Sequence, residues 1–444
     1  MSRIDPVFYK IVGAAYDEGE TTVSLASKYN VTEGTIRNIL KKTGVVARDR
    51  AQRARISHNK AGRGNPLSLY KTGEGLIVPP SEWASLLKKH GKKELVYFLN
   101  EVLEGTPFPW PSTKKEKALL IFNTLKNTPL SDLLSSGDIN LLRSSPYNQL
   151  GFHTKIKPPG NKASNYLFCR TRWSTAKSDA PSVVERWERK NLRLKACLKF
   201  MCLKASTSFT PALFRQALCV TGSTPSQFKP GVAKAVYELL ESEHVLDFSA
   251  GWGDRAVGFC ASSTTRTYTG IDPNPELHPL YQQLAALYGG DKKLLFLQGC
   301  AEDMCVSPHY FDTVFTSPPY FDVERYGASS SDPASQSWYK YPTPEKWLTG
   351  FLEPSLSRAW AGLKEGGFLV LNIADVQFKK TRYPLCEWAH TVVGSLFGSR
   401  FVGCLGMRLQ GGNYDALSRS TKSGEPIFIW SKGKPRIDIH NKKP

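Results

Sequence analysis

The stretch "VFTSPPYF", residues 314–321, sets a hydroxyl, two prolines and a tyrosine directly after an apolar run that reads as a buried strand. Ser317 offers a hydrogen-bond acceptor, and Pro318 and Pro319 fix φ and remove backbone donors, so that the Pro318 carbonyl is aimed with little freedom. Tyr320 adds a flat aromatic face. Two aimed acceptors beside a flat ring suit a planar group that carries an amine. The lone pair of an exocyclic amine is delocalised into its ring, and acceptors on both amine protons favour the pyramidal nitrogen that can attack an electrophile. The reaction then rests on proximity and alignment. Serine is a weak proton acceptor, so a carboxylate is expected nearby. Asp375, ending "FLVLNIAD", is the candidate, ahead of Asp322 and Glu324 just past the tetrapeptide. A proline turn that merely ends a core strand, or a polyproline ligand, is the plainer alternative.

The elements that must position these residues begin after about residue 226. Strands are expected at 244–250, 266–272, 293–299, 312–317, 367–375, 401–409 and 426–432, with helices such as "NPELHPLYQQLAALYG" between them. This alternation predicts an α/β fold, a parallel sheet covered on both faces, with its ligand site at the carboxyl ends of the strands. The first strand runs into "DFSAGWGDR", where Asp247 and Ser249 precede a turn that Gly251 and Gly253 allow to approach a ligand closely. Asp272 closes the second strand and can accept both hydroxyls of a ribose, and Asp303 follows the third and could meet an adenine amine. Strand-end acids after a glycine turn indicate a nucleoside cofactor. They do not separate NAD from S-adenosylmethionine.

With the tetrapeptide added, the set resembles the S-adenosylmethionine-dependent DNA methyltransferases that act on exocyclic amines, whose catalytic motif reads Asp, Asn or Ser, then Pro-Pro, then an aromatic. The resemblance runs from "FKPGVAKAVYELL" at 228 to the last strand, with several motifs in the family's order. It implies a class I methyltransferase Rossmann-like sheet and S-adenosyl-L-methionine as cofactor. Phe228, Pro230 and the glycine turn would surround the methionine end, and Asp272 would hold the ribose. Ser317, Pro318, Pro319 and Tyr320 would form the catalytic motif. Within the family Ser at this position leans toward cytosine-N4 and Asp or Asn toward adenine-N6. Related architectures are common in phages and large viruses. An RNA amine methyltransferase shares the same core, and a DNA-binding regulator with an inactive enzyme domain is the non-enzyme alternative.

The basic half of the chain supplies the expected partner. Of the net charge of +20, residues 1–220 carry 36 Lys and Arg against 17 Asp and Glu, whereas the remainder is nearly balanced. Such asymmetry suits a polyanion, because Lys and Arg bind phosphates by releasing condensed counterions. Tyr16 to Val45 resembles a helix-turn-helix: Val23, Leu25 and Ala26 inside a first helix, a turn at Tyr29-Asn30-Val31, and Thr32 capping a second helix to about Lys42. Its outward Thr35, Arg37, Asn38 and Lys41 suit a major groove, and Arg48, Arg50 and Arg53 lie in a basic arm suited to phosphates or a minor groove. From 161 onward, Arg170, Arg172, Arg186, Arg189 and Arg193 interleave with Tyr166, Phe168, Trp173 and Trp187. That pattern fits either a base-stacking surface or a helical core. The expected domains are 1–62 (helix-turn-helix and arm), 63–225 (basic, mainly helical, possible target recognition) and 226–444 (methyltransferase). Double-stranded DNA is the expected partner, with no membrane, metal or obligate protein partner. Nine scattered cysteines without a C-x-x-C pair read as free thiols, and no apolar run is long enough for a span or leader. The expected location is cytoplasmic, or nuclear in a eukaryote.

Overall fold

Thr32 does what its place in the sequence predicts: its side chain accepts from the Thr35 amide and starts a helix. The computed structural model describes residues 6–17, 20–43, 45, 64–72, 75–111, 113–141, 147–202, 208–326, 335–378, 381–415 and 420–442. The chain divides into two compact units, Met1–Pro109 with Val184–Thr221, and Trp110–Val183 with Gly222–Pro444.

In the first unit, α1 (Pro6–Asp17), α2 (Thr22–Lys28) and α3 (Glu33–Lys42) enclose Val12, Tyr16, Leu25, Ile36, Ile39 and Leu40. The turn between α2 and α3 passes through Asn30 at φ 51°, a left-handed position that asparagine tolerates. Val23, expected inside, is 65% exposed, because α2 turns Leu25 inward instead. Elsewhere in this unit α4 (Pro80–Val102) and the helices Lys190–Cys202 and Pro211–Val220 bury Trp83, Phe200 and Phe214. The cation-aromatic pattern resolves here toward a core. Trp187 is buried with its Nε1 donating to the Thr106 carbonyl, and Arg193 is buried with its guanidinium donating to the Asn100 and Trp187 carbonyls. Arg186 likewise donates to the Leu218 carbonyl. These arginines satisfy backbone acceptors inside the unit and are not laid out for phosphates.

The second unit is built on a nine-stranded sheet. Its strands are β1 (Leu134–Ser136), β2 (Gln149–Thr154), β3 (His244–Asp247), β4 (Thr267–Asp272), β5 (Lys293–Gln298), β6 (Phe311–Thr316), β7 (Leu363–Asn372), β8 (Ser399–Asp415) and β9 (Ser420–Lys432). They lie in the order β1-β2-β8-β9-β7-β6-β3-β4-β5. From β3 to β7 every pairing is parallel, and β9 runs antiparallel to both β7 and β8. Counted from β3, the order is 3-2-1-4-5-7-6 with the seventh strand reversed, a Rossmann-like class I fold. β1 and β2 come from the stretch expected to be helical and extend the sheet past β8.

Alternation along the buried strands sorts side chains to two faces. Val245, Phe315, Phe368 and Val370 pack on one side with α5 (Pro230–Leu239) and α6 (Asp254–Ala261), and Leu246, Val314, Leu369 and Leu371 pack on the other with the helices Glu353–Gly362 and Leu385–Ser395. With both faces covered, the open ground left to the sheet is the ends of its strands.

Candidate active site

A cavity of about 710 Å³ lies at those carboxyl ends. Its wall is assembled from the residues just past each strand: Phe248 to Trp252 after β3, Asp272 to Leu277 at the end of β4, Cys300 to Glu302 after β5, and Ser317, Pro319 and Tyr320 after β6. Asn372 closes β7, while Met407 and Leu409 from β8 and Glu425 from β9 complete the far side.

The β3 turn is fixed from below. Asp247 is fully buried and accepts from Arg255 Nε at 2.8 Å, Arg255 Nη2 at 3.2 Å and the Tyr268 hydroxyl at 2.7 Å. It does not bound the cavity, so the acid expected to meet the cofactor instead holds the loop that does. Ser249 and Gly251 do bound it. Gly251 has φ 54°, and a Cβ there would meet nothing nearer than the Ser249 carbonyl at 3.6 Å, so the backbone faces open space. Gly253, at φ 69°, caps α6 and has its Cα against Phe168 and Leu284, a packing role behind the turn. Asp254, which begins α6, lines the cavity and accepts from Gln227 Nε2 at 2.9 Å and from Ser164 Oγ. Burial pushes its carboxyl up to about 6.

Asp272 stands at the cavity wall, its two oxygens accepting from the Gly251 and Asn274 amides at 2.8 and 3.0 Å. Burial raises its carboxyl above the ordinary range, and both oxygens keep lone pairs for further donors. Asp303 is 67% exposed at its side chain and pairs with Lys340 at 3.0 Å. The neighbouring Glu302, 5% exposed, is the acid that bounds the cavity, held by Lys340 at 2.9 Å and the Tyr341 hydroxyl at 3.2 Å. Phe228 lines the cavity with Lys229, whereas Pro230 is buried in the first turn of α5.

The β6 end brings Ser317, Pro319 and Tyr320 to the same space, whereas Pro318, expected to aim its carbonyl there, does not bound it. Ser317 Oγ donates to Asn372 Oδ1 at 3.3 Å, and Asn372 Nδ2 donates to the Pro426 carbonyl at 3.0 Å, which fixes which way the amide faces. Pro318 is buried beneath, and Tyr320 is half-buried with its hydroxyl donating to the Asn372 carbonyl at 3.2 Å and toward Glu425 Oε2 at 3.4 Å. Directly afterwards Phe321 takes φ 44°, a left-handed position that costs a non-glycine residue about 1–3 kcal/mol. Its ring is buried against Trp347, which holds the strained turn in place.

Two further carboxylates approach the tetrapeptide. Glu324 accepts from the Tyr320 amide at 3.3 Å, from Ser226 Oγ at 2.9 Å and from the Tyr326 hydroxyl at 2.8 Å. Glu425 faces it across Tyr320, and burial together with the Glu324 charge pushes the Glu425 carboxyl up to about 7. Asp375, expected to take a proton here, lies away from the cavity. Its carboxylate is wholly buried, accepting from the Cys386 amide at 3.0 Å and Arg382 at 3.4 Å, and it does not bound the cavity. The cause is register: β7 ends at Asn372, so Asn372, not Asp375, occupies the strand-end position. Asp322 pairs with Arg325 at 2.8 Å.

No known family profile and no curated protein matches the chain. Solved structures do align with it, over slightly less than half its length. An S-adenosylmethionine-dependent O-methyltransferase of Thermotoga maritima is 9% identical over 48% of this chain and 69% of its own, with a TM-score of 0.31. TrmN of Thermus thermophilus is 16% identical over 46% and 48%, with a TM-score of 0.30. The tRNA m1G37 methyltransferase of M. jannaschii is 12% identical over 46% and 47%, also with a TM-score of 0.30.

Outside the cavity, the outward residues of α3 are where the sequence puts them. Arg37, Asn38 and Lys41 are exposed, with Arg37 paired to Glu33 at 2.7 Å, and Thr35 is half-buried with its hydroxyl bonded to that of Thr32 at 2.9 Å. Arg48, Arg50 and Arg53 lie outside the described residues. Among the described residues no helix is long and apolar enough to cross a membrane.

Proposed function

We propose that this chain is an S-adenosylmethionine-dependent DNA methyltransferase that methylates the exocyclic amine of a base swung out of the duplex, with cytosine N4 favoured over adenine N6. The observation that carries this reading is the bond from Ser317 to Asn372. Because the Asn372 amide is fixed by Pro426, its oxygen takes the Ser317 proton and leaves the serine lone pairs free to accept an amine proton. Tyr320 supplies the flat wall beside that acceptor, and the strained turn at Phe321 holds both.

The donor set fits the cofactor. Asp272 is an acceptor suited to a vicinal diol, Glu302 stands farther along the same wall, and the open backbone at Gly251 leaves room for a bound group. Phe228, Ser249, Gly251 and Asp254 would take the amino-acid end. Bound there, S-adenosylmethionine supplies a methyl group on a positively charged sulfur. The protein's part is to desolvate the amine, align it and polarise it through Ser317. The serine at 317 is the reason for favouring cytosine. The exposed Arg37, Asn38 and Lys41 of α3, with the basic excess of the first 220 residues, support duplex DNA as the substrate.

The test is methyl transfer from tritium-labelled cofactor into mixed-sequence duplex DNA and into an RNA transcript of the same sequence, using the full chain. Label in the DNA, lost with Asp272→Ala, is the expected result. Label confined to RNA would overturn the substrate, and label in neither would overturn the activity.

A further inference from the structure

Methylating an amine leaves one proton too many on nitrogen, and Ser317 cannot keep it. As the N–C bond forms, the methyl–sulfur bond breaks with its electron pair staying on sulfur, and an N–H proton must leave the nitrogen for a base. The acid expected from the sequence, Asp375, is committed to Cys386 and Arg382 away from the cavity. We propose, resting on the amine-methylation reading, that Glu425 on β9 is the proton acceptor of this site, reached across the Tyr320 hydroxyl.

Geometry supports the assignment first. Glu425 and Ser317 bound one cavity and are joined by a run of hydrogen bonds from Ser317 to Asn372, Asn372 to Tyr320 and Tyr320 to Glu425. Tyr320 Oη stands 3.4 Å from Glu425 Oε2, and the Asn372 amide that orients Ser317 is held by Pro426, the neighbour of Glu425. The proton leaves nitrogen for the Tyr320 oxygen as the Tyr320 proton passes to Glu425, so one N–H and one O–H break while two O–H bonds form. A carboxylate tied into a hydrogen-bonded pair is a competent base only if its affinity for protons is near the working pH.

The surroundings supply that poise. Glu324 faces Glu425 from the turn after the tetrapeptide, and two carboxylates across one tyrosine disfavour a second charge. Lys229 approaches from the segment before α5, with Nζ donating to the Ile156 and Arg408 carbonyls and its own charge weakened by burial. From β7 comes Asn372, which does not titrate, and from β8 comes Arg408, whose guanidinium meets His153 at 3.4 Å. The balance leaves the Glu425 carboxyl raised to about 7, by burial first and by Glu324 second. It can therefore take a proton at neutral pH and release it to solvent between turnovers.

The experiment measures single-turnover methylation of mixed-sequence duplex DNA from pH 5.5 to 9, with cofactor binding measured in parallel by calorimetry. The wild-type rate should rise with pH to a plateau, with its midpoint near 7. Glu425→Gln should lower the plateau by about a hundredfold or more and remove the limb, with cofactor affinity retained. Glu425→Asp, which restores a carboxylate, should recover part of the rate and a displaced limb. A Glu425→Gln rate within threefold of wild type, with the limb intact, overturns the assignment and leaves the methylation reading standing. Cofactor binding by the wild type without any methylated nucleoside overturns that reading, and the proton acceptor with it.

Discussion

Glu425 is held in a place that favours its protonated form, and the fold bears the consequence. Its pKa lies near 7 in the folded chain and near 4.5 when solvated, so between those values the folded state binds more protons than the unfolded one. Stability therefore falls as pH rises through that window and stays lower above it. Glu425→Gln should raise the unfolding free energy at pH 8 by on the order of 1–3 kcal/mol, at about 1.4 kcal/mol for each tenfold change in proton affinity, and leave it unchanged near pH 4. Urea titrations of the two proteins at the two pH values check this. Among single residues, those that declare their chemistry by type and neighbours were legible in the sequence: Ser317, Tyr320, Asp272 and Gly251 all bound the cavity. Glu425 was not, because it reaches Tyr320 through packing across 105 residues, and nothing near "SGEPIFIW" marks it as chemical.

Elements place these residues by ending where they do. The buried parallel strands were legible because they are apolar runs bounded by glycine, proline or asparagine, and their ends set the site. Errors of a few residues at those ends matter: β7 stops at Asn372, which moves Asp375 out of the cavity, and the turn after β5 presents Glu302 where Asp303 was expected. β1 and β2 carry too few apolar residues to announce themselves; β2 pairs with β8, and β1 pairs with β2. At the β3 turn, position and packing act together. Gly253 sits at φ 69°, and a Cβ would come within 2.6 Å of the Phe168 ring and 2.9 Å of Leu284. Gly253→Ala combines left-handed strain with overpacking and should destabilise the fold by about 2–4 kcal/mol. It should also weaken cofactor binding, since Asp254 and Gly251 share that turn. Chemical denaturation and calorimetry on the same preparation separate the two effects.

On the scale of the whole chain, charge and chemistry are divided. The half with the excess of Lys and Arg holds α1 to α3, and the nearly balanced half supplies most of the cavity wall, with Thr171 and Ser174 to Lys177 coming from the basic half. If α3 reads duplex DNA, Arg37→Ala with Lys41→Ala should weaken binding and reduce the slope of log affinity against log salt by about 1–2, one for each phosphate no longer neutralised. Fluorescence anisotropy across a salt series checks it, and an unchanged slope would remove α3 from the DNA surface. The sharpest measurement concerns the product. Duplex DNA incubated with the full chain and S-adenosylmethionine, digested to nucleosides and analysed by mass spectrometry, should contain N4-methylcytosine. Ser317→Ala and Tyr320→Ala should each reduce it by a hundredfold or so. DNA without any methylated amine, from protein that binds the cofactor, would contradict the assignment of this cavity to amine methylation.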